Sequence, residues 1–154
     1  MLSDLTLRTL RREDENALTW LLEANDLPEV TRWFDPFPLT AATARALCNA
    51  EGRDLYWGAW QGQALVGLAM VRGWDGGHPE PAFGCLVDSR YQGRGIGSAV
   101  SRLMCLELTR RGVAEVRARV HAGNVASLRM LQRAGFEELS RDAERVLLAA
   151  TLGA

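Results

Sequence analysis

Between Val87 and Val100 the chain reads VDSRYQGRGIGSAV, with glycines at three alternate positions, Gly93, Gly95 and Gly97. An apolar run, AFGCLV, precedes them and a helical pattern follows. No other stretch constrains the fold as much, because here the chain must pass from strand to helix through a backbone with few Cβ atoms. A helix start carries unpaired N–H groups and the positive end of the helix dipole, so it suits an anion, and phosphate best of all. Glycines let that backbone approach closely and take conformations that a Cβ forbids. The arrangement predicts a pyrophosphate cradle, and a plain glycine-rich turn is the competing account.

The flanking segments place this loop in an α/β fold with a mixed sheet. LTLRTL (5–10) alternates apolar and polar residues and predicts a first strand. REDENALTWLLEAN (12–25) has an acidic start and Ala17, Leu18, Leu21 and Leu22 on one helical face. DLPEVTRWFDPFPL holds three prolines and three aromatics, which predicts a loop with at most a helical turn. Thr40 caps a second helix, AATARALCNA, which Gly52 ends. LYWGAW and ALVGLAMVR form a hairpin about QGQ, and AFGCLV (82–87) is the fourth strand. SAVSRLMCLELTRR is a strong helix closed by Gly112. VAEVRARV is a fifth strand, and NVASLRMLQRAG a helix capped by Asn124 and stopped by Gly135. FEELS and RVLLAATL close the chain as a hairpin. The order is β-α-α-β-β-β-α-β-α-β-β, with about seven strands and about four helices. At 154 residues and 47% hydrophobic content, residues 1–154 are expected to form one domain.

Composition removes several function classes. A net charge of −1 provides no global field for nucleic acid or membrane. No segment approaches the roughly 20 apolar residues of a membrane span, and the polar start does not resemble a signal peptide, so a cytoplasmic location is expected. Cys48, Cys85 and Cys105 are odd in number, far apart and without a C-x-x-C pair, which predicts reduced thiols and neither disulfides nor a metal site. All 18 basic residues are arginine. The absence of lysine excludes a P-loop, which needs G-x-x-x-x-G-K-[ST]. A dinucleotide fingerprint fits weakly: from Gly93 the pattern reaches Ser98 where a glycine belongs, and the next strand ends in Val120 and His121 without a carboxylate.

Coenzyme A is the remaining pyrophosphate, and here the residues resemble a known family. Gln92, Gly95 and Gly97 match the Q-x-x-G-x-[GA] signature of the GNAT superfamily of N-acetyltransferases. NVASLRMLQRAGF is similar to the family's second segment through Asn124, Ser127, Gly135 and Phe136. The element order agrees over nearly the whole chain, and the pattern is closest to the branch that acetylates ribosomal-protein N-termini. The resemblance implies a sheet splayed between strands 4 and 5, with acetyl-CoA in the gap. It implies that the segment Gly93, Arg94, Gly95, Ile96, Gly97 and Ser98, with Gln92 before it, holds the pyrophosphate. Leu86 and Val87 would pair with the pantetheine arm, and one of their amides would polarise the thioester carbonyl. Asn124 and Ser127 would meet the coenzyme from the other side.

The implied reaction is direct attack of an amine on the thioester. A primary amine has a pKa of about 10, so a general base is useful. The branch pattern E-I-G-Y-W-L carries a glutamate where this chain has Ala82. Glu80, two residues earlier, is the first candidate base, although Pro81 interrupts the strand spacing. His78, Asp75 and His121 are reserves. Many members carry a tyrosine acid seven residues after the asparagine, where this chain has Leu131; Ser127 fills the serine position of N-x-x-S that serves in its place. A thiol pKa of about 8.5 also makes an acid dispensable.

The acceptor would lie beside VTRWFDPFPL, with Trp33, Phe34 and Phe37 lining a pocket and Asp35 offering charge to an amine. The expected protein is an acetyl-CoA-dependent N-acetyltransferase, metal-free, monomeric or homodimeric, acting on a peptide N-terminus or small-molecule amine. A catalytically weak acyl-CoA-sensing module is the alternative, which the changes at Ala82 and Leu131 permit.

Overall fold

Strand alternation and helical periodicity sort the side chains onto two faces of one seven-stranded sheet. The computed structural model describes residues 4–153. The elements run β1 (Leu5–Thr9), α1 (Glu15–Ala24), α2 (Pro28–Thr31), α3 (Ala41–Cys48), β2 (Leu55–Gln61), β3 (Ala64–Arg72), β4 (Ala82–Val87), α4 (Ile96–Arg110), β5 (Glu115–His121), α5 (Val125–Arg133), β6 (Glu137–Arg141) and β7 (Arg145–Thr151). The sheet order is β1-β2-β3-β4-β5-β7-β6. Every neighbouring pair is antiparallel except β4 and β5.

That parallel pair is where the sheet opens. β3 and β4 stay in register from Arg72↔Ala82 to Gly67↔Val87. β4 and β5 share one registered pair, Ala82↔Arg117, with the Arg117 amide donating to the Pro81 carbonyl at 2.8 Å. Beyond it the two strands part, as expected for this architecture. Four helices and the one-turn α2 flank the sheet; the turn forms where Pro28 can sit at a helix start without costing a hydrogen bond.

α4 and α5 cover one face of the sheet. Ile96, Val100, Met104, Leu108 and Leu131 pack there against Val71, Phe83, Val116, Ala118, Val146 and Leu148. α1 and α3 cover the other face, with Leu18, Leu21, Leu22, Ala44 and Leu47 against Leu68, Met70 and Leu86. Each fully buried leucine here contributes roughly 1.5–3 kcal/mol of transfer free energy. This second layer reaches β4 and stops, so Arg119 and Arg145 on the same face of β5 and β7 remain exposed.

Two boundaries differ from the sequence reading. α3 ends at Asn49, whose side chain donates to the Arg45 carbonyl at 2.7 Å and satisfies the last turn. Gly52 is not its stop; a Cβ there would lie 2.2 Å from an Asp75 carboxylate oxygen, so the glycine makes room for that side chain. α4 begins at Ile96 and not Ser98, because Gly95 itself is the N-cap and Gly97 already lies in the first turn.

Candidate active site

The path into the glycine loop is held by buried polar groups. Asp88 is fully buried at the end of β4 and accepts from the Arg90 amide at 3.0 Å and from Arg90 Nε at 3.1 Å. Burial alone would raise its pKa, but the bonds and charge of Arg90 outweigh it and hold the carboxyl below the usual range. Asn25, fully buried beyond the end of α1, donates to the Leu21 carbonyl at 2.8 Å and accepts from the Ser89 amide at 2.9 Å. Arg90 also stacks over Trp20 of α1 at 4.2 Å. The first helix therefore anchors the turn that leads into the loop.

Gly93 and Gly95 both have left-handed backbones, with φ of 77° and 79°. The first amide claimed by the helix is that of Ala99, which donates to the Gly95 carbonyl at 3.1 Å. The amides of residues 93–98 have no partner among the described residues. A Cβ on Gly97 would lie 2.6 Å from Met130 Sδ, so the Met130 side chain of α5 packs directly over the bare glycine and would have to shift for any larger residue. The Gln92 side chain donates to the Val87 carbonyl at 3.1 Å and ties the loop back to β4. A cavity of about 300 Å³ lies over these groups, lined by Gly93, Gly95, Ile96, Gly97 and Ser98 and, from α5, by Ser127, Met130 and Arg133. Open amides, close backbone approach and one arginine form a donor set suited to a diphosphate. Arg94 does not line this cavity; its guanidinium stacks on Tyr91 at 5.0 Å.

The cavity continues into the splay. The gap, of about 250 Å³, is lined by Phe83 to Val87 of β4, by Ala118 to Val120 of β5, and by Asn124, Ser127 and Leu131 of α5. Past Ala82 the β5-facing edge of β4 has no strand partner. The Asp88 amide on the Val66 carbonyl and the Arg117 amide on the Pro81 carbonyl set the alternation, which turns the backbone groups of Phe83 and Cys85 and the Val87 amide to that edge, open to an extended chain. Leu86, expected there from sequence, faces β3 with its backbone groups. Asn124 Oδ1 caps α5 by accepting from the Ser127 amide at 3.3 Å, while its side-chain NH₂ has no partner among the described residues.

On the far side the gap meets a third hollow of about 670 Å³. Trp33, Phe34, Phe83, Gly84 and Arg119 line both, so the two are contiguous. Trp33, Phe34 and Asp35 line this hollow, as do Asp54, Tyr56, Arg72, Ala82 and Arg145. Phe37 does not; it packs edge-on to Phe34 at 5.9 Å and buttresses it. Burial raises the Tyr56 pKa, only partly offset by Arg72 beside it, so its hydroxyl stays protonated and can donate.

The candidate bases scatter. Glu80 is half-buried in the turn before β4 and lines none of these hollows, because Pro81 ends the strand spacing that would have carried it inward. His78 is exposed in the same turn. Asp75 spends one carboxylate oxygen on the Arg53 amide at 2.7 Å and the other on the Asp54 amide at 3.2 Å, and Asp54 returns a bond to the Asp75 amide. Asp75 thus clamps the β3–β4 turn. His121 Nδ1 accepts from the Gly123 amide at 3.1 Å, and its ring meets Trp33 edge-on at 4.9 Å. It lines none of the three hollows. Sequence reasoning missed Tyr56, Arg72, Arg119, Arg133 and Arg145. Strand alternation could have grouped the sheet residues by face, but not shown which face lacks a covering helix.

Cys85 lines both the gap and the loop cavity and keeps some exposure as a residue, yet its packing against the core pushes the thiol up to about 12. Burial likewise raises Cys48, to about 11, and Cys105. Thiolate is the reactive form, so all three are expected to resist iodoacetamide at pH 7.5 in the folded protein and to label fully after denaturation. Mass spectrometry that found Cys85 alkylated within minutes in the native state would contradict this burial. Among the described residues no group of three His, Cys, Asp or Glu side chains could hold a metal ion, and no helix is long and apolar enough to cross a membrane.

Known structures share this arrangement. The ribosomal L7/L12 α-N-protein acetyltransferase RimL, solved with coenzyme A, superposes with a TM-score of 0.83 at 17% identity, covering 99% of this chain and 96% of its own. The ribosomal-protein-S18-alanine N-acetyltransferase from Escherichia coli gives 0.73 at 23% identity, covering 97% and 95%. AAC(6')-Ib, in complex with paromomycin and acetyl-CoA, gives 0.74 at 17% identity, covering 96% and 93%. No curated protein matches at a significant level. At these identities the structures speak for the fold alone. The acetyltransferase (GNAT) domain profile, however, matches residues 4–137 directly. With most of its length matched in sequence and its sheet splayed where that family's sheets splay, the chain belongs to the GNAT acetyltransferase family.

Proposed function

We propose that this chain transfers an acetyl group from acetyl-CoA to a primary amine by direct attack. The observation that carries the reading is the parting of β4 and β5 after a single registered pair, which opens straight onto the unpartnered amides of residues 93–98. Acetyl-CoA supplies the activated acyl group. The chain's part is to hold and orient. Residues 93–98, Gln92 and Arg133 bind the diphosphate, and Cys85 and Val87 align the arm along the open edge of β4 with their backbone groups. A β4 amide aimed at the carbonyl oxygen would stabilise charge there. Asn124 and Ser127 close the gap from α5.

The attacking amine would arrive through the Trp33–Phe34 side. Asp54, which lines the hollow, would take its proton through water: the Gly73 and Asp75 amides fix Oδ1, and Oδ2 has no hydrogen-bond partner among the described residues. Tyr56, kept protonated, can orient the acceptor or donate to the departing sulfur. The fold similarity to ribosomal-protein and aminoglycoside acetyltransferases supports an amine acceptor, either a peptide N-terminus or a small molecule. An acyl-CoA sensor is the second reading, favoured by Ala82 in the usual glutamate position and Leu131 in the usual tyrosine position.

Calorimetry with acetyl-CoA, NAD and ATP tests the first step. Micromolar binding of acetyl-CoA alone is expected, and NAD or ATP binding without it would overturn the reading. Thiol release with an amine panel then separates enzyme from sensor: tight binding with no release above hydrolysis would leave only the sensor.

A further inference from the structure

We infer that the acceptor carries a negative charge beside its amine, so that the hollow selects carboxylate-bearing amines over neutral or polycationic ones. This rests on the acetyltransferase reading and adds the class of substrate. The helical layer formed by α1 and α3 stops at β4, and the uncovered half of that face is arginine-rich. Arg119 is registered opposite Leu147, and His121 opposite Arg145. Arg119 and Arg145 are therefore diagonal neighbours on one face, with backbones about 7–8 Å apart.

Two like charges so placed repel unless something neutralises them, and on these strands the neighbours are neutralised. Arg117 pairs with Glu115 at 3.1 Å and Arg141 with Glu138 at 2.7 Å. Arg119 and Arg145 have no ion pair within 4 Å among the described residues; Asp142 lies near Arg145 and feels its charge, but spends Oδ1 on the Glu144 and Arg145 amides at 2.8 Å. Arg32, stacked over Trp33 at 4.2 Å, and Arg72, over Phe37 at 5.5 Å, line the same hollow. Its carboxylates are Asp35 and Asp54, and Asp54 already binds two backbone amides. A chain of net charge −1 has therefore gathered a local positive excess at the mouth of its own splay.

The planar guanidinium fork matches the bidentate geometry of a carboxylate, and the rings beneath Arg32 and Arg72 restrict those two side chains. A polycation entering here would meet four arginines against two carboxylates. The volume of about 670 Å³ suits a small amino acid or the first residues of an acidic peptide. Both present the same chemistry, an amine with a carboxylate within reach.

The test uses the full chain saturated with coenzyme A, with acceptor affinity read by calorimetry and acetylation by thiol release from acetyl-CoA. The probes are glutamate against its diamide, a peptide amide beginning serine-glutamate-glutamate against its glutamine counterpart, and spermidine. One acidic probe is expected to bind about tenfold tighter than its neutral twin, as hydrogen bonds to charged groups allow. Which pair discriminates identifies the source. The preference should fall to about twofold or less in Arg119→Gln/Arg145→Gln, persist in Arg119→Lys, and shrink in 0.5 M salt. Equal or better binding of the neutral twins or spermidine, a preference unchanged in the double glutamine variant, or no binding of either acidic probe would overturn the inference. Acetylation of neutral amines alone would sink it and leave the acetyltransferase reading intact. Selective acid binding without thiol release from any amine would do the reverse.

Discussion

A Gly95→Val protein will fold and lose acetyl-CoA. Gly95 caps α4 with φ of 79°, a conformation in which a β-branched residue is a genuine outlier. The direct strain is about 1–2 kcal/mol, which in a chain of this size lowers the thermal midpoint by only a few degrees. The loop is exposed, so the backbone can relieve that strain by turning away. Turning re-aims the amides of residues 93–98. Losing two hydrogen bonds to a charged diphosphate, at about 1.5–3 kcal/mol each, predicts an affinity at least about 100-fold weaker. Gly62→Val is the matched control: its φ is 61°, in the tight β2–β3 turn, far from the cradle. Both variants should lose similar stability, and only Gly95→Val should lose the coenzyme by calorimetry. Acetyl-CoA bound within about threefold of the parent affinity would mean that the loop amides are not the diphosphate site.

Asn25→Leu is expected to be the most damaging conservative-volume change outside the apolar core. Asn25 joins residues 64 positions apart, through its bond from the Ser89 amide, and has no exposed surface. Leucine fills the same space but leaves the Ser89 amide and the Leu21 carbonyl without their partner. A buried orphan costs about 1–3 kcal/mol, so the pair predicts a loss of about 2–6 kcal/mol and a midpoint lower by roughly 5–20 °C. The turn through Asp88 and Arg90 leads directly into the loop, so acetyl-CoA affinity should fall as well. Thermal denaturation with and without acetyl-CoA reads both effects. An unchanged midpoint would show that the bond contributes nothing net.

The parts of the site that could be read in advance are those written over a few consecutive residues. The glycine loop, the Asn124 cap and the AFGCLV strand each depend on φ preferences, short side chains or a period of two, which neighbours in sequence settle among themselves. Trp33, Phe34 and Asp35 line the hollow of about 670 Å³, whereas Phe37, grouped with them from sequence, supports Phe34 from behind. Glu80 shows the limit of spacing: one proline at 81 breaks the alternation and leaves the carboxylate outside. Asp75 and Gly52, 23 positions apart, show another limit, since neither has a visible role until the two turns meet.

Sequence alone thus determined the strand–loop–helix cradle, the element order and the family, because these rest on local backbone geometry and the periodic placement of apolar residues. Tertiary structure alone decided the lining of the large hollow beyond the gap. Tyr56, Arg72, Arg119 and Arg145 come from four different strands and share one hollow only because α1 and α3 cover part of a sheet face and leave the rest bare. Which charges stand unneutralised follows from that partial cover, since burial and pairing are properties of the packed layers and not of any single segment.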